Sequence, residues 1–300
     1  MSKIKIICTS TGCIDYAPDR YKELGIDILR VHVLYGGGDY KEGLDLDPVA
    51  FYQYLETLED PKKNLPSTAM PDTEDIMAAF ENAISEGYDE AIVYAISSYL
   101  GGTYNKICLI AKEFEGRLKI HVVDTKITSF NEGYLAIRAA QLAGDGKSSE
   151  EILKETKWMM EHQLFIGVDG KLDYLIYNGR LKGGKALMGQ ILNFCPVLTF
   201  NKGGECVALE SVRTQKKALA RTCEILKETI GDRSPEDYLL WHVYTGPSLL
   251  ETLKEIEAKV GVKTNHEAVI MSPVSGSHNG PWLAGYGLVF LRREDELLED

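Results

Sequence analysis

Residues 91–96, Ala-Ile-Val-Tyr-Ala-Ile, are apolar without interruption, and this run constrains the fold more than any other feature of the chain. It is too short to span a membrane, and a strand wetted on one face would alternate polar and apolar residues. An unbroken run of this length is expected of a strand covered on both faces, as in a parallel sheet. Its flanks agree. Ile76, Met77, Phe80, Ala83 and Ile84 recur at helical spacing behind Asp72 as a candidate cap, and Gly87 stops that helix. A helix is expected over residues 103–115, with a second apolar run at 120–123. Strand, helix and strand in this order predict a parallel sheet with helices packed on it. Earlier, residues 4–8 read as a strand, Pro18 opens a short helix that Gly25 closes, residues 26–34 read as one strand, and Asp47-Pro48 starts a helix.

The chain has 300 residues, more than one core usually needs. The segment Gly144-Asp145-Gly146-Lys147-Ser148-Ser149 is the best boundary, which gives two α/β domains, 1–150 and 151–300. In the second, a helix is expected at 150–162 and short strands at 164–168, 197–200, 206–209 and 238–242. Further helices are expected near 212–229 and 248–259, and the acidic end at 294–300 should fray.

The formal net charge of −12 argues against nucleic acid or anionic membrane as a partner. No stretch approaches the roughly 18 apolar residues of a membrane span. The start of the chain lacks the basic and apolar regions of a secretory signal, so a cytoplasmic location is expected. The six cysteines form no CxxC pair, and the six histidines form no HxH or HxxxH. Reduced, buried thiols and no metal site are expected.

In a parallel sheet, ligands collect beyond the carboxyl ends of the strands. Three polar loops fall there: Thr9-Ser10-Thr11, the loop from Ser97 to Thr103, and Asp124-Thr125. Pro66-Ser67-Thr68-Ala69-Met70-Pro71 could fold over them. Gly101 and Gly102 let backbone approach a ligand, and the helix that begins at Thr103 favours an anion, phosphate or carboxylate alike. The chain carries no GxxxxGK[ST], no GxGxxG after a strand and no GxSxG. By themselves His278 reads as a structural loop histidine and Asn178-Gly179-Arg180 as a turn with a solvated arginine.

Together these segments resemble the DegV family of bacterial fatty-acid-binding proteins, whose pattern runs along the whole chain. Its first strand and loop match Ile6 to Thr11, and its Thr-Ser-x-Pro segment matches Thr68-Ala69-Met70-Pro71. Its Ser-Ser-x-Leu-Ser-Gly-Thr-Tyr matches Ser97-Ser98-Tyr99-Leu100-Gly101-Gly102-Thr103-Tyr104. Val123-Asp124-Thr125, Leu172 to Arg180, Cys195-Pro196, Val212-Arg213-Thr214 and His278-Asn279-Gly280-Pro281-Trp282 follow in order.

The resemblance implies two α/β domains, an acyl chain buried between or beneath them, and no cofactor. The carboxylate would be held near Thr68, the Gly101 position and His278, and presented to a partner fatty acid kinase that makes an acyl phosphate. Here Ala69, Gly101 and Thr9 replace the family's serine, carboxylate-binding serine and aspartate. The amides of Gly101 and Gly102 remain, and Ser98 could substitute. The expected function is therefore a non-catalytic carrier of one long-chain fatty acid. The alternative is an enzyme acting on an acyl or phosphorylated substrate, with His278 as acid/base and Asp124 nearby. Arg213 is expected near the cleft mouth, facing the partner.

Overall fold

The computed structural model describes residues 2–58, 63–184, 194–293 and 296, which form three sheets. β1 (Ile4–Thr9), β2 (Asp27–Leu29), β6 (Glu90–Ala95) and β7 (Lys119–Asp124) make the expected parallel sheet, in the order β2-β1-β6-β7. The strand expected at 26–34 is broken. Arg30 is ion-paired with Asp15, and the Val31 amide donates to Ser10 Oγ at 3.1 Å, which turns the chain out of the ladder. β3 (His32–Tyr35) then pairs antiparallel with β4 (Gly38–Lys41) and β5 (Ser67–Ala69) in a small second sheet that holds Thr68.

The helix at Pro18 is a 3-10 turn, Asp19–Leu24, closed by Gly25 at φ 66°. α1 (Pro48–Glu56) is capped by Asp47, which accepts from the Ala50 amide at 2.7 Å. Asp72 stands at the N-cap of α2 (Thr73–Ser85) but does not cap it, because its carboxylate faces Lys41 at 3.2 Å and His32 at 3.3 Å. α3 (Thr103–Ala111) ends early in the 3-10 turn Lys112–Phe114.

α4 (Ser129–Gly144) has no counterpart in the sequence reading. Residues 129–137 are all buried, so the helix lacks the polar stripe that marks an amphipathic one. It packs on β1 and β6 on one side and on β8 (Gln163–Asp169) and β13 (Leu283–Phe290) on the other. One core thus runs from Ile92 through Phe130 and Leu135 to Ile166 and Trp241. α5 (Ser149–Glu161) starts with a capping box between Ser148 and Glu151.

The third sheet adds β9 (Cys195–Phe200), β10 (Cys206–Val212), β11 (Tyr238–Tyr244) and β12 (Val269–Ile270). Its order is β10-β9-β8-β13-β11-β12, antiparallel except between β11 and β12. Helices α6 (Asp173–Tyr177), α7 (Gln215–Ile230), α8 (Pro247–Val260) and α9 (Pro273–Asn279) complete the second half. The inner strand β13 also escaped the sequence reading, because Gly285 and Gly287 interrupt its apolar pattern. The fold needs both: a Cβ at 285 would lie 2.2 Å from Ile166 O, and one at 287 would lie 2.3 Å from the Trp241 ring. Except for Glu296, the acidic segment 294–300 lies outside the described residues. Among the described residues no helix is long and apolar enough to cross a membrane.

Glu42 joins the small sheet to α9. It is fully buried, and its Oε1 accepts from the Val274 amide at 3.2 Å. Burial pushes its carboxyl up to about 7 from 4.5, against the pull of Ser10, the Val274 amide and Ser272. Such an acid favours the fold when protonated. Its contribution is complete below pH 4.5 and is lost as pH rises through about 7. Glu42→Gln should therefore shrink the fall in unfolding free energy between those limits by up to about 3 kcal/mol. Urea titrations of both proteins across this range check it, and an unchanged slope would exclude Glu42 as the titrating group.

Candidate functional site

The loops after β1, β6 and β7 end on one side of a cavity. It has about 900 Å³ of space between its walls, the mouth included. Phe165, Leu198 and Phe200 from the third sheet and Ile96, Leu175 and Val274 make much of the wall apolar. At one end it turns polar. There β5 brings Thr68, the β6 loop brings Gly101 and Gly102, and α9 brings His278.

His278 is not in a loop, as its sequence context implied. It occupies the last turn of α9, and its Nε2 lies 3.0 Å from Thr68 Oγ1. One proton sits between these atoms whichever tautomer is present. If Thr68 donates, Nδ1 carries the remaining ring hydrogen, and Nδ1 is buried without a partner among the described residues. If Nε2 donates, the Thr68 hydroxyl hydrogen is left over. Either way the pair keeps one unused donor. Burial pushes the imidazole down to about 3, helped by the charge of Arg180, so His278 is neutral near pH 7 and offers no charge-assisted bond of its own.

The β6 loop is held by Ser97, whose Oγ donates to Gly204 O at 2.8 Å, and by the Ser98 amide, which donates to Asp124 Oδ1 at 3.0 Å. Neither the Gly101 nor the Gly102 amide has an acceptor among the described residues, and no side chain caps α3. These donors are free for an anion. A Cβ at Gly101 would meet nothing within 4 Å, so a serine fits there.

Arg180 is the residue whose place the sequence reading missed. It lines the cavity beside Gly101 and His278. Its Nε donates to Leu100 O at 3.3 Å, and a terminal nitrogen donates to Asn178 O. Among the described lining residues it is the one formal charge, with no Asp or Glu to neutralise it. The signal was the Asn178-Gly179-Arg180 turn, where Gly179 adopts φ 70° and sends the chain back toward the cavity.

Four expected site residues therefore meet at one end: Thr68, Gly101, Gly102 and His278. Ser98 and Arg213 do not line the cavity, and Arg213 is exposed before α7. Asp124 is also outside it. Burial would raise its carboxyl, but Lys126 and Ser98 hold it below the usual range. Among the described residues no three His, Cys, Asp or Glu side chains form a group able to hold a metal ion.

A family model described as "Uncharacterised protein, DegV family" matches residues 3–291. A DegV domain-containing protein of Clostridium acetobutylicum is 30% identical over 289 residues, covering 96% of this chain and 99% of its own length. The crystal structure of a fatty-acid-binding DegV family protein from Streptococcus agalactiae superposes with a TM-score of 0.86 at 27% identity, covering 97% of this chain and 100% of the other. A DegV family protein from Thermus thermophilus, described by its fatty acid binding, gives 0.82 at 26% identity, with the same two coverages. On the family match and these likenesses, the chain belongs to the DegV family.

Proposed function

We propose that this protein is a non-catalytic carrier of one long-chain fatty acid, acting in the cytoplasm. The observation that carries the reading is an apolar cavity ending in Arg180, the Thr68–His278 pair and two free amides, with no acidic side chain among the described lining residues. Burying about 0.8 kcal/mol of acyl chain per methylene gives a gross drive on the order of 10 kcal/mol, less the costs of ordering. The polar end then fixes orientation. Residues 1–150 supply the head-group loops, and residues 151–300 supply Arg180, His278 and much of the acyl wall. The fatty-acid-binding relatives support the same ligand class.

A partner fatty acid kinase would take the carboxylate at this end and make the acyl phosphate. Arg213, exposed and outside the cavity, is assigned to that partner rather than to the fatty acid. The enzyme alternative has one observation in its favour, the 3.0 Å contact of a hydroxyl with an imidazole. It is disfavoured because His278 Nδ1 has no carboxylate to orient it among the described residues, and an imidazole held near 3 is a weak base.

The test is to denature the purified protein, extract it with organic solvent and identify the lipid by mass spectrometry. One fatty acid per chain is expected, and none from a protein expressed in fatty-acid-rich medium would count against the carrier. Thr68→Val should weaken binding of a fluorescent fatty acid by about 1–3 kcal/mol. An unchanged affinity would place the carboxylate elsewhere.

A further inference from the structure

An unsubstituted acyl tail has no use for hydroxyls, yet Thr128 and Ser275 both line the cavity together with the head-group residues. Both are buried, and their hydroxyl oxygens lie 3.1 Å apart. Thr128 stands at the N-cap of α4, where a threonine hydroxyl ordinarily accepts a helix amide. Here it makes no such bond and faces Ser275 instead. Ser275 sits inside α9, and its own amide donates to Ser272 Oγ at 3.2 Å. Of the two hydroxyl hydrogens, one lies between the oxygens. The other has no acceptor among the described residues. A buried pair with a spare donor and spare lone pairs is a hydrogen-bonding position facing the ligand space.

Its distance from the head group follows from α9. Ser275 precedes His278 by three residues, a rise of about 4.5 Å along the helix. At single-bond lengths of about 1.5 Å in a zigzag chain, that is roughly three to four bonds from the carboxylate.

We propose that Thr128 and Ser275 form a second polar subsite, which receives an oxygen carried near the third carbon of the acyl chain, so that a 3-hydroxy fatty acid is the preferred ligand. The inference rests on the carrier reading and deepens it. A ligand hydroxyl there donates to one oxygen of the pair and accepts the free hydrogen of the other, so its desolvation is offset. The same hydroxyl elsewhere along the apolar wall would be buried without a partner.

The test uses delipidated protein titrated calorimetrically with hexadecanoic acid, its 3-hydroxy derivative and its 16-hydroxy derivative. The 3-hydroxy acid is expected to bind more tightly than the parent, and the 16-hydroxy acid more weakly than both. Thr128→Val and Ser275→Ala should each lower affinity for the 3-hydroxy acid roughly fivefold relative to the parent acid, the worth of one hydrogen bond. Wild-type protein alone overturns the inference if the two hydroxy acids bind equally and more weakly than the parent. It is also overturned if the ratio of 3-hydroxy to parent affinity is the same in both variants as in wild type. If hexadecanoic acid itself does not bind, the carrier reading fails first.

Discussion

Arg180→Ala is expected to weaken fatty-acid binding by roughly tenfold or more, the worth of a charge-assisted hydrogen bond of about 1.5–3 kcal/mol. Arg180 is the one formal charge on the described cavity wall, and no carboxylate competes for it there. The neutral donors beside it, Thr68 with His278 and the two glycine amides, orient an anion but do not neutralise it. Its guanidinium is half-buried and tied to Leu100 O and Asn178 O, so little ordering is left to occur on binding. Arg180→Lys should recover only part of the loss, since an ammonium cannot keep both carbonyl contacts and a planar face for a carboxylate. His278 reports the same change. Burial is the larger cause of its low value and Arg180 the smaller, so its value should rise only part of the way in Arg180→Ala. Displacement titration of a fluorescent fatty acid and NMR titration of the imidazole measure the two effects. Full affinity in the alanine variant would mean that the carboxylate lies away from this end.

Gly133→Ala is expected to destabilise the fold by about 2–3 kcal/mol, although alanine is ordinarily the better helix former. Gly133 lies in α4, where a Cβ would fall 2.0 Å from Gly12 O and 2.9 Å from Gly12 C. Gly12 faces it from the 3-10 turn Ser10–Gly12, and its own Cβ would lie 3.0 Å from the Gly133 backbone. Helix and turn therefore touch backbone to backbone, and neither contact can be relieved by rotating a side chain. The preceding position in α4, Glu132, accepts from Thr11 at 2.9 Å and from Thr9, and burial pushes this carboxyl well above its usual range. Moving the turn off α4 would strain that cluster as well as the loop that puts Thr11 on the cavity wall. Urea unfolding should show a lower midpoint with little change in slope. An unchanged midpoint would mean that α4 and the turn can separate freely.

The parallel sheet was legible because its central strand is covered on both faces, which leaves an unbroken apolar run at 91–96 in any order of reading. The head-group loops were legible for a related reason: strand ends, glycines and a helix start are local signals, and they located Gly101 and Gly102. Thr68 and His278 came from family motifs, and neither fragment alone carries chemistry. What the tertiary structure decided lies where local pattern is silent or misleading. α4 is buried all round and so has no stripe. β13 carries two glycines because the Ile166 backbone and the Trp241 ring occupy the space of their side chains. The strand at 26–34 is cut by Asp15 and Ser10, residues outside it. The Thr68–His278 bond spans 210 positions, and Thr128 meets Ser275 across 147. Arg180 looked solvated because no acidic residue adjoins it in sequence, and only the folded chain sets its charge on the wall of an apolar cavity. Local propensity and burial pattern are written residue by residue, whereas which polar groups share one buried space depends on the packing of α4 between two sheets.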